Sequence, residues 1–262
     1  MSTAQPIRVR FVFPLLAQPQ AVSGNLLVLA DRGRRRGIAI DTAEWHTAGP
    51  LPAAELYVVG GAEDSSMAVL TERLRDGGLV DAVRGGAAVL AVDAGYQVLG
   101  TTFELTSDEP QDGLGLLDVV STRVAERAEG PIIAHGDPAL GLGILSGYET
   151  HRGRTTLGSG ATPLATLELG IGNGDTPATD GAVGGHVVGT YLHGPTLARN
   201  VELADLLLRW ATGRDELEPL DDTLVHELRD QHLAEERVDP TGWGGRVYGK
   251  KSILQRLPGP RA

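Results

Sequence analysis

The sequence predicts an α/β fold with a mostly parallel central sheet, and three observations predict it. Short apolar runs alternate with helix-period segments through the first hundred residues. Glycines stand just beyond those runs, at Gly60-Gly61 and Gly95. The apolar run 88–92 passes straight through Asp93 into a helix start at Ala94. Strands alternating with helices at this spacing imply parallel strands with helices on both faces. Ligands of such sheets lie beyond the C-terminal strand ends, where Gly60-Gly61 and Asp93 both fall.

The elements follow in order. Residues 7–13 alternate polar and apolar as a first strand. Residues 24–36 read as a helix with Leu26, Leu27 and Ala30 on one face and Arg32, Arg34, Arg35 and Arg36 at its end. Basic residues complement a helix C-terminus, so this cluster reads as a solvated helix end rather than an anion site. Gly37 stops the helix, and 38–40 form a second short strand. Residues 55–59 make a buried strand. Helices at 65–75 and 79–84 precede the strand 87–92. From Gly113 onward, glycine-punctuated runs at 113–120, 141–147 and 155–168 predict an antiparallel extension of the same sheet. The β-rich run 187–192 ends at His193-Gly194-Pro195, and helices follow at 201–210 and 221–236. One domain is expected over residues 1–237. Residues 238–262, with Trp243, Tyr248 and Lys250-Lys251, show no clear period and read as a loose appendage or a partner-docking segment.

Composition narrows the function. The 262 residues carry a net charge of -11, which argues against a nucleic-acid binder with a basic face. A mean hydropathy of -0.07, no apolar run of membrane-spanning length and no secretory signal pattern make a cytoplasmic protein the expectation. Cysteine is absent, which excludes disulfides, cysteine-based metal sites and thiol catalysis within this chain. No metal or cofactor is expected.

Three constellations carry chemistry. The strand–turn–helix at Asp93 has the layout of a nucleophile elbow, which exposes one side chain at a sharp corner. Asp93 therefore reads either as a working carboxylate or as a cap on the helix beginning near Ala94. Facing a helix N-terminus, it is expected to stay ionised and accept hydrogen bonds. Gly60-Gly61 reads either as a turn whose N–H groups approach a substrate, as an oxyanion hole requires, or as an ordinary βα turn. His193, at a strand end before Gly-Pro, is placed as a base or as a structural histidine. His46, His135, His186, His226 and His232 show no ligand spacing and read as surface or structural; His151, in a polar, arginine-rich stretch, is open between the two.

Five segments occur in order: Gly60-Gly61-Ala62-Glu63-Asp64, the elbow from Ala91 to Gly100, Gly113-Leu114-Gly115-Leu116-Leu117-Asp118-Val119, Gly147-Tyr148-Glu149-Thr150-His151-Arg152-Gly153-Arg154-Thr155, and Gly189-Thr190-Tyr191-Leu192-His193-Gly194-Pro195. This series resembles the class I glutamine amidotransferases of the cobyric acid synthase type. Within them it is most similar to the GatD-type glutaminase subunits of lipid II isoglutaminyl synthases. The resemblance covers about residues 7–235. It implies a Rossmann-like (flavodoxin-like) fold and a Cys–His pair that releases ammonia from glutamine. The ammonia serves a Mur-ligase-like, ATP-dependent synthetase subunit that amidates D-glutamate in the peptidoglycan precursor lipid II. Carried over by position, Asp93 occupies the nucleophile's place and His193 the base's. Gly60, Gly61 and Ala94 would form the oxyanion hole, and Arg127 and Gln97 would bind substrate. Pro131 departs from the family pattern, which has an acidic residue there.

The departure at Asp93 decides the expected function. The thiolate is the nucleophile in glutamine hydrolysis, so ordinary glutaminase activity is expected to be lost. Two functions follow: a non-catalytic partner of the synthetase, or an enzyme using Asp93 with His193 on another substrate.

Overall fold

The computed structural model describes residues 5–13, 19–105 and 109–238. In chain order the first elements are β1 (Ile7–Val12), α1 (Pro19–Arg35), β2 (Ile40–Trp45), β3 (Leu56–Val59), α2 (Asp64–Asp76), α3 (Leu79–Arg84), β4 (Ala88–Val92) and α4 (Ala94–Val98). Next come β5 (Thr102–Glu104), β6 (Pro110–Asp112), β7 (Val119–Gly136), β8 (Ile144–Leu157), β9 (Ala165–Leu169), β10 (Thr179–Asp180), β11 (Ala182–Gly184) and β12 (Val187–Thr190). The helices α5 (Thr196–Arg199), α6 (Val201–Thr212) and α7 (Thr223–Val238) complete the described chain. The expected tail, but for Val238, lies outside the described residues.

The central sheet has the order β11-β12-β4-β3-β1-β2. Each pairing is parallel except β11 with β12. All residues of β3 and β4 are buried, because a central parallel strand is covered on both faces. Alternate side chains therefore enter two cores. Val9, Phe11, Val58 and Leu90 pack with Leu29 of α1 and Leu203 and Leu207 of α6. Tyr57, Val59, Val89 and Ala91 pack with Met67, Leu70 and Leu74 of α2. Burying each of the valine, leucine, methionine and phenylalanine side chains stabilises the fold by about 1.5–3 kcal/mol. No helix among the described residues is long and apolar enough to cross a membrane.

Three sequence expectations need correction. The antiparallel region is not an extension of the first sheet but a second sheet, of order β10-β9-β7-β5-β6, with β8 pairing β7. Its frame is the long hairpin of β7 and β8, broken by one irregularity between Arg123 and Ala128; the interior glycines had suggested shorter strands. The second strand runs over Ile40–Trp45 instead of 38–40, because Gly33, Gly37 and Ile38 form the turn that closes α1. The arginine cluster is not a solvated helix end. Arg32 is buried and donates to both Asp205 and Asp222, Arg36 donates to Asp205 and Arg35 donates to Asp221 O, so three of the four arginines bind the end of α1 to α6 and to the approach to α7.

Candidate active site

The elbow forms as its sequence demands. The β4 run ends at Asp93, which adopts φ 55° and ψ -121°. A side-chain-bearing residue held there costs on the order of 1–3 kcal/mol. The corner is fixed by backbone bonds: Asp93 N–H donates to Thr190 O at 2.9 Å, and Asp93 O accepts from Tyr96 N–H at 2.9 Å. Gly95 lets α4 lie on the end of β3, since a β-carbon there would come within 2.7 Å of the Gly60 oxygen. Asp93 occupies the N-cap position of α4, yet its side chain makes no capping hydrogen bond. The simple capping reading is therefore set aside.

The carboxylate of Asp93 lines a narrow polar cleft of about 90 Å³ together with Ala94, Gln97, Arg127 and His151. Burial, the largest effect, pushes its carboxyl above the ordinary value. The neighbouring His151, His193 and Arg127 oppose that shift, as does the nearby Ala94 N–H. The sequence pointed to the helix start, which favours the charged form; burial is the larger influence and acts against it. Gly61 faces the Asp93 side chain directly. Arg127 reaches the cleft from β7, its Nε donating to Thr150 Oγ1 at 3.0 Å.

His193 is placed differently. Its N–H donates to Tyr148 O at 2.7 Å, joining the end of the β12 segment to β8. Its imidazole lines a separate cavity of about 580 Å³ with Ser146, Tyr148, Arg199, His232 and Glu236, and its buried Nδ1 has no hydrogen-bond partner. The structure brings Asp93, Gln97, Ala94 and Arg127 to one cleft and sets His193 on the wall of the neighbouring cavity. His232 also lines that cavity, whereas His186 stacks on Trp210.

Sequence reasoning left one group undecided and missed another. His151 is 4% exposed and stacks face to face on Tyr191. Glu149 is completely buried and pairs with His151. Strand periodicity held the signal, because Glu149, His151 and Gly153 share one face of β8 at a spacing of two.

Residues 17–201 match the model of the CobB/CobQ-like glutamine amidotransferase domain. The chain belongs to that family. It is 32% identical over 195 residues to the lipid II isoglutaminyl synthase (glutamine-hydrolyzing) subunit GatD of Staphylococcus aureus, covering 73% of this chain and 78% of that protein. The corresponding subunit of Streptococcus pneumoniae is 26% identical over 222 residues, covering 83% and 85%. Cobyric acid synthase of Pelotomaculum thermopropionicum is 35% identical over 240 residues, covering 81% of this chain and 43% of that protein. A solved glutamine amidotransferase shares the fold at a TM-score of 0.50 and 21% identity, covering 78% of this chain and 98% of that chain. The α/β class and the family resemblance read from the sequence are both borne out.

Proposed function

We propose that this CobB/CobQ-like glutamine amidotransferase family member is a subunit that supports a Mur-ligase-like, ATP-dependent synthetase in amidating lipid II, without hydrolysing glutamine in the ordinary way. The likeness to two GatD subunits supports the pathway. The observation that carries the catalytic part is a carboxylate at the elbow corner of a chain with no cysteine. On this reading Asp93 stands where the family carries its thiol. A carboxylate attacks an unactivated amide poorly, and its charge repels the oxyanion that an attack would create. The synthetase then draws on free ammonia, and this subunit contributes docking and shape.

The test is ammonia release from glutamine by the chain alone and in the presence of such a synthetase, beside synthetase turnover supplied with ammonium. No release from glutamine, with ammonium-dependent amidation intact, is expected. Robust glutamine turnover overturns the reading.

The strained corner favours a second reading, in which Asp93 attacks an activated electrophile. It requires a covalent ester on Asp93, visible by mass spectrometry. The absence of a hydrogen bond between Asp93 and His193 among the described residues weighs against His193 as the base in this arrangement.

A further inference from the structure

We propose that the cavity beside His193 is a binding site for a small organic amine, its ammonium group received by Glu236 of α7 and a second polar group by Ser146 and His193 on the β8 side. Among the described residues, eight buried side-chain nitrogen or oxygen atoms have no hydrogen-bond partner, and four of them belong to residues that line this one cavity: Ser146 Oγ, His193 Nδ1, His232 Nε2 and Glu236 Oε2. Buried polar atoms are ordinarily paired, because an unpaired one has forfeited its hydration for nothing. Half of the exceptions gather around one space of about 580 Å³, where a polar ligand would complete their bonding. That volume lies within the range of small-molecule sites, and Pro131, Tyr148, Pro195 and Ala198 supply the apolar lining such sites use.

The walls are fixed by the fold itself. Asn200 is buried; its Oδ1 accepts Ser146 N–H at 2.9 Å, and its Nδ2 donates to Ser146 O at 2.9 Å and to Thr196 O at 2.7 Å. These bonds tie β8 to α5 through the Ser146 backbone and leave its hydroxyl over. His193 N–H donates to Tyr148 O at 2.7 Å, which holds the histidine against the same strand. On α7, His232 and Glu236 stand four apart on one helix face. His232 Nε2 lies 3.9 Å from Glu236 Oε1, beyond hydrogen-bond reach, and Arg199 Nη1 of α5 donates to that same Oε1 at 3.4 Å.

Charge and donor type select the ligand. Two carboxylates, Glu235 and Glu236, line the cavity with one guanidinium, Arg199, so the lining favours a cation. Arg199 serves Glu236 Oε1 and leaves Oε2 with no donor, and an ionised carboxylate only accepts. Burial, the largest effect, pushes the Glu236 carboxyl above its ordinary value, with Arg199 and His232 opposing. A further cationic donor therefore stabilises the ionised form. A primary ammonium brings both the charge and the hydrogens. A hydroxyl elsewhere on the ligand matches Ser146 Oγ and His193 Nδ1, since a serine hydroxyl and an imidazole nitrogen can each donate or accept. Amine binding here asks nothing of Asp93, so glutamine turnover, present or absent, leaves it standing.

The test uses the full chain with 15N-labelled histidine and aminohexanol as the probe, beside hexanediol, in which a hydroxyl replaces the ammonium. Saturable binding of aminohexanol is expected, with shifts in the ring signals of His193 and His232 but not of His186, which stacks on Trp210 outside the cavity. Hexanediol is expected to bind about tenfold more weakly, since it lacks the charge-assisted hydrogen bond. Glu236→Gln should remove that preference, and Ala198→Trp, which puts bulk into the cavity, should weaken both probes. No saturable shift, equal affinity for the two probes, or an unchanged preference in folded Glu236→Gln overturns the proposal. The comparison of the two probes needs no variant, so it stands even where a substitution unfolds the chain.

Discussion

Gly61 lies so close to Asp93 that a β-carbon at position 61 would sit 2.9 Å from Oδ2 and 3.2 Å from Cβ of Asp93. The parallel register of β3 on β4, with Val59 opposite Ala91, puts the two corners side by side. Gly61→Ala is expected to destabilise the fold by about 1–3 kcal/mol through overpacking. That cost should shrink in the Asp93→Gly background. A double-mutant cycle by urea denaturation measures the coupling, and simple additivity would refute the contact as its cause.

On the proposed reading, Asp93→Cys puts the family's thiol at the elbow corner. Glutamine-dependent ammonia release is expected to rise above that of the unmodified chain. Adding His193→Ala to Asp93→Cys should then lower the rate about 10²–10⁴-fold if His193 reaches the corner as a base. An unchanged rate would assign His193 to the neighbouring cavity alone.

Asp180 gives a pH signature. Burial, the largest effect, raises its carboxyl to about 6, against the Thr190 hydroxyl and Tyr191 N–H that favour the charged form. A carboxyl raised on folding keeps its proton longer in the native state. Stability from this group is full below the ordinary carboxylate range and falls as pH rises towards 6. Two units correspond to about 3 kcal/mol. Asp180→Asn cannot ionise and should flatten that fall. Denaturation midpoints at pH 4.5 and pH 7 for both proteins give the comparison, and equal slopes would exclude Asp180.

The Arg32 node acts with the opposite sign. The Arg32 hydrogen bond holds the Asp222 carboxyl below its ordinary value, with burial opposing. This contribution is present above the ordinary carboxylate range and lost as pH falls through the depressed value. Arg32→Met removes both hydrogen bonds to the Asp222 carboxylate, leaving Arg35 at 3.7 Å, and should cost about 3–5 kcal/mol at neutral pH. The difference from the unmodified protein should narrow on acidification, as denaturant titrations at pH 7 and pH 3 would show.

The first sheet was legible because its strands are short, apolar and bounded by glycine, and the elbow because one buried strand meets one helix without a spacer. The hairpin of β7 and β8 was not. Its glycines at Gly130, Gly147 and Gly153 lie inside the strands, where they had suggested breaks. Gly153 instead leaves room for Gln97, whose amide nitrogen lies 2.8 Å from where a β-carbon would stand. Asp93 was singled out by the elbow pattern, and Gln97 and Arg127 by the family resemblance; the three line one cleft. The Glu149–His151 pair became meaningful only once a strand face, and Tyr191 from a distant segment, were both known. The buried roles of Arg32 and Arg36 depended on Asp205, 173 and 169 residues away.

That distance also orders events during synthesis. At about 5–20 residues per second, Asp205 is made roughly 9–35 s after Arg32. Throughout that interval the nascent α1 has neither the carboxylates that neutralise it nor the α6 leucines that cover its apolar side. The parallel strands β1 to β4 and α2 are all made before residue 100, but the opposite face lacks its cover until α6 has been made. The face of the sheet that α1 and α6 cover in the native fold is therefore completed only once residues nearly two hundred positions after β1 have been made.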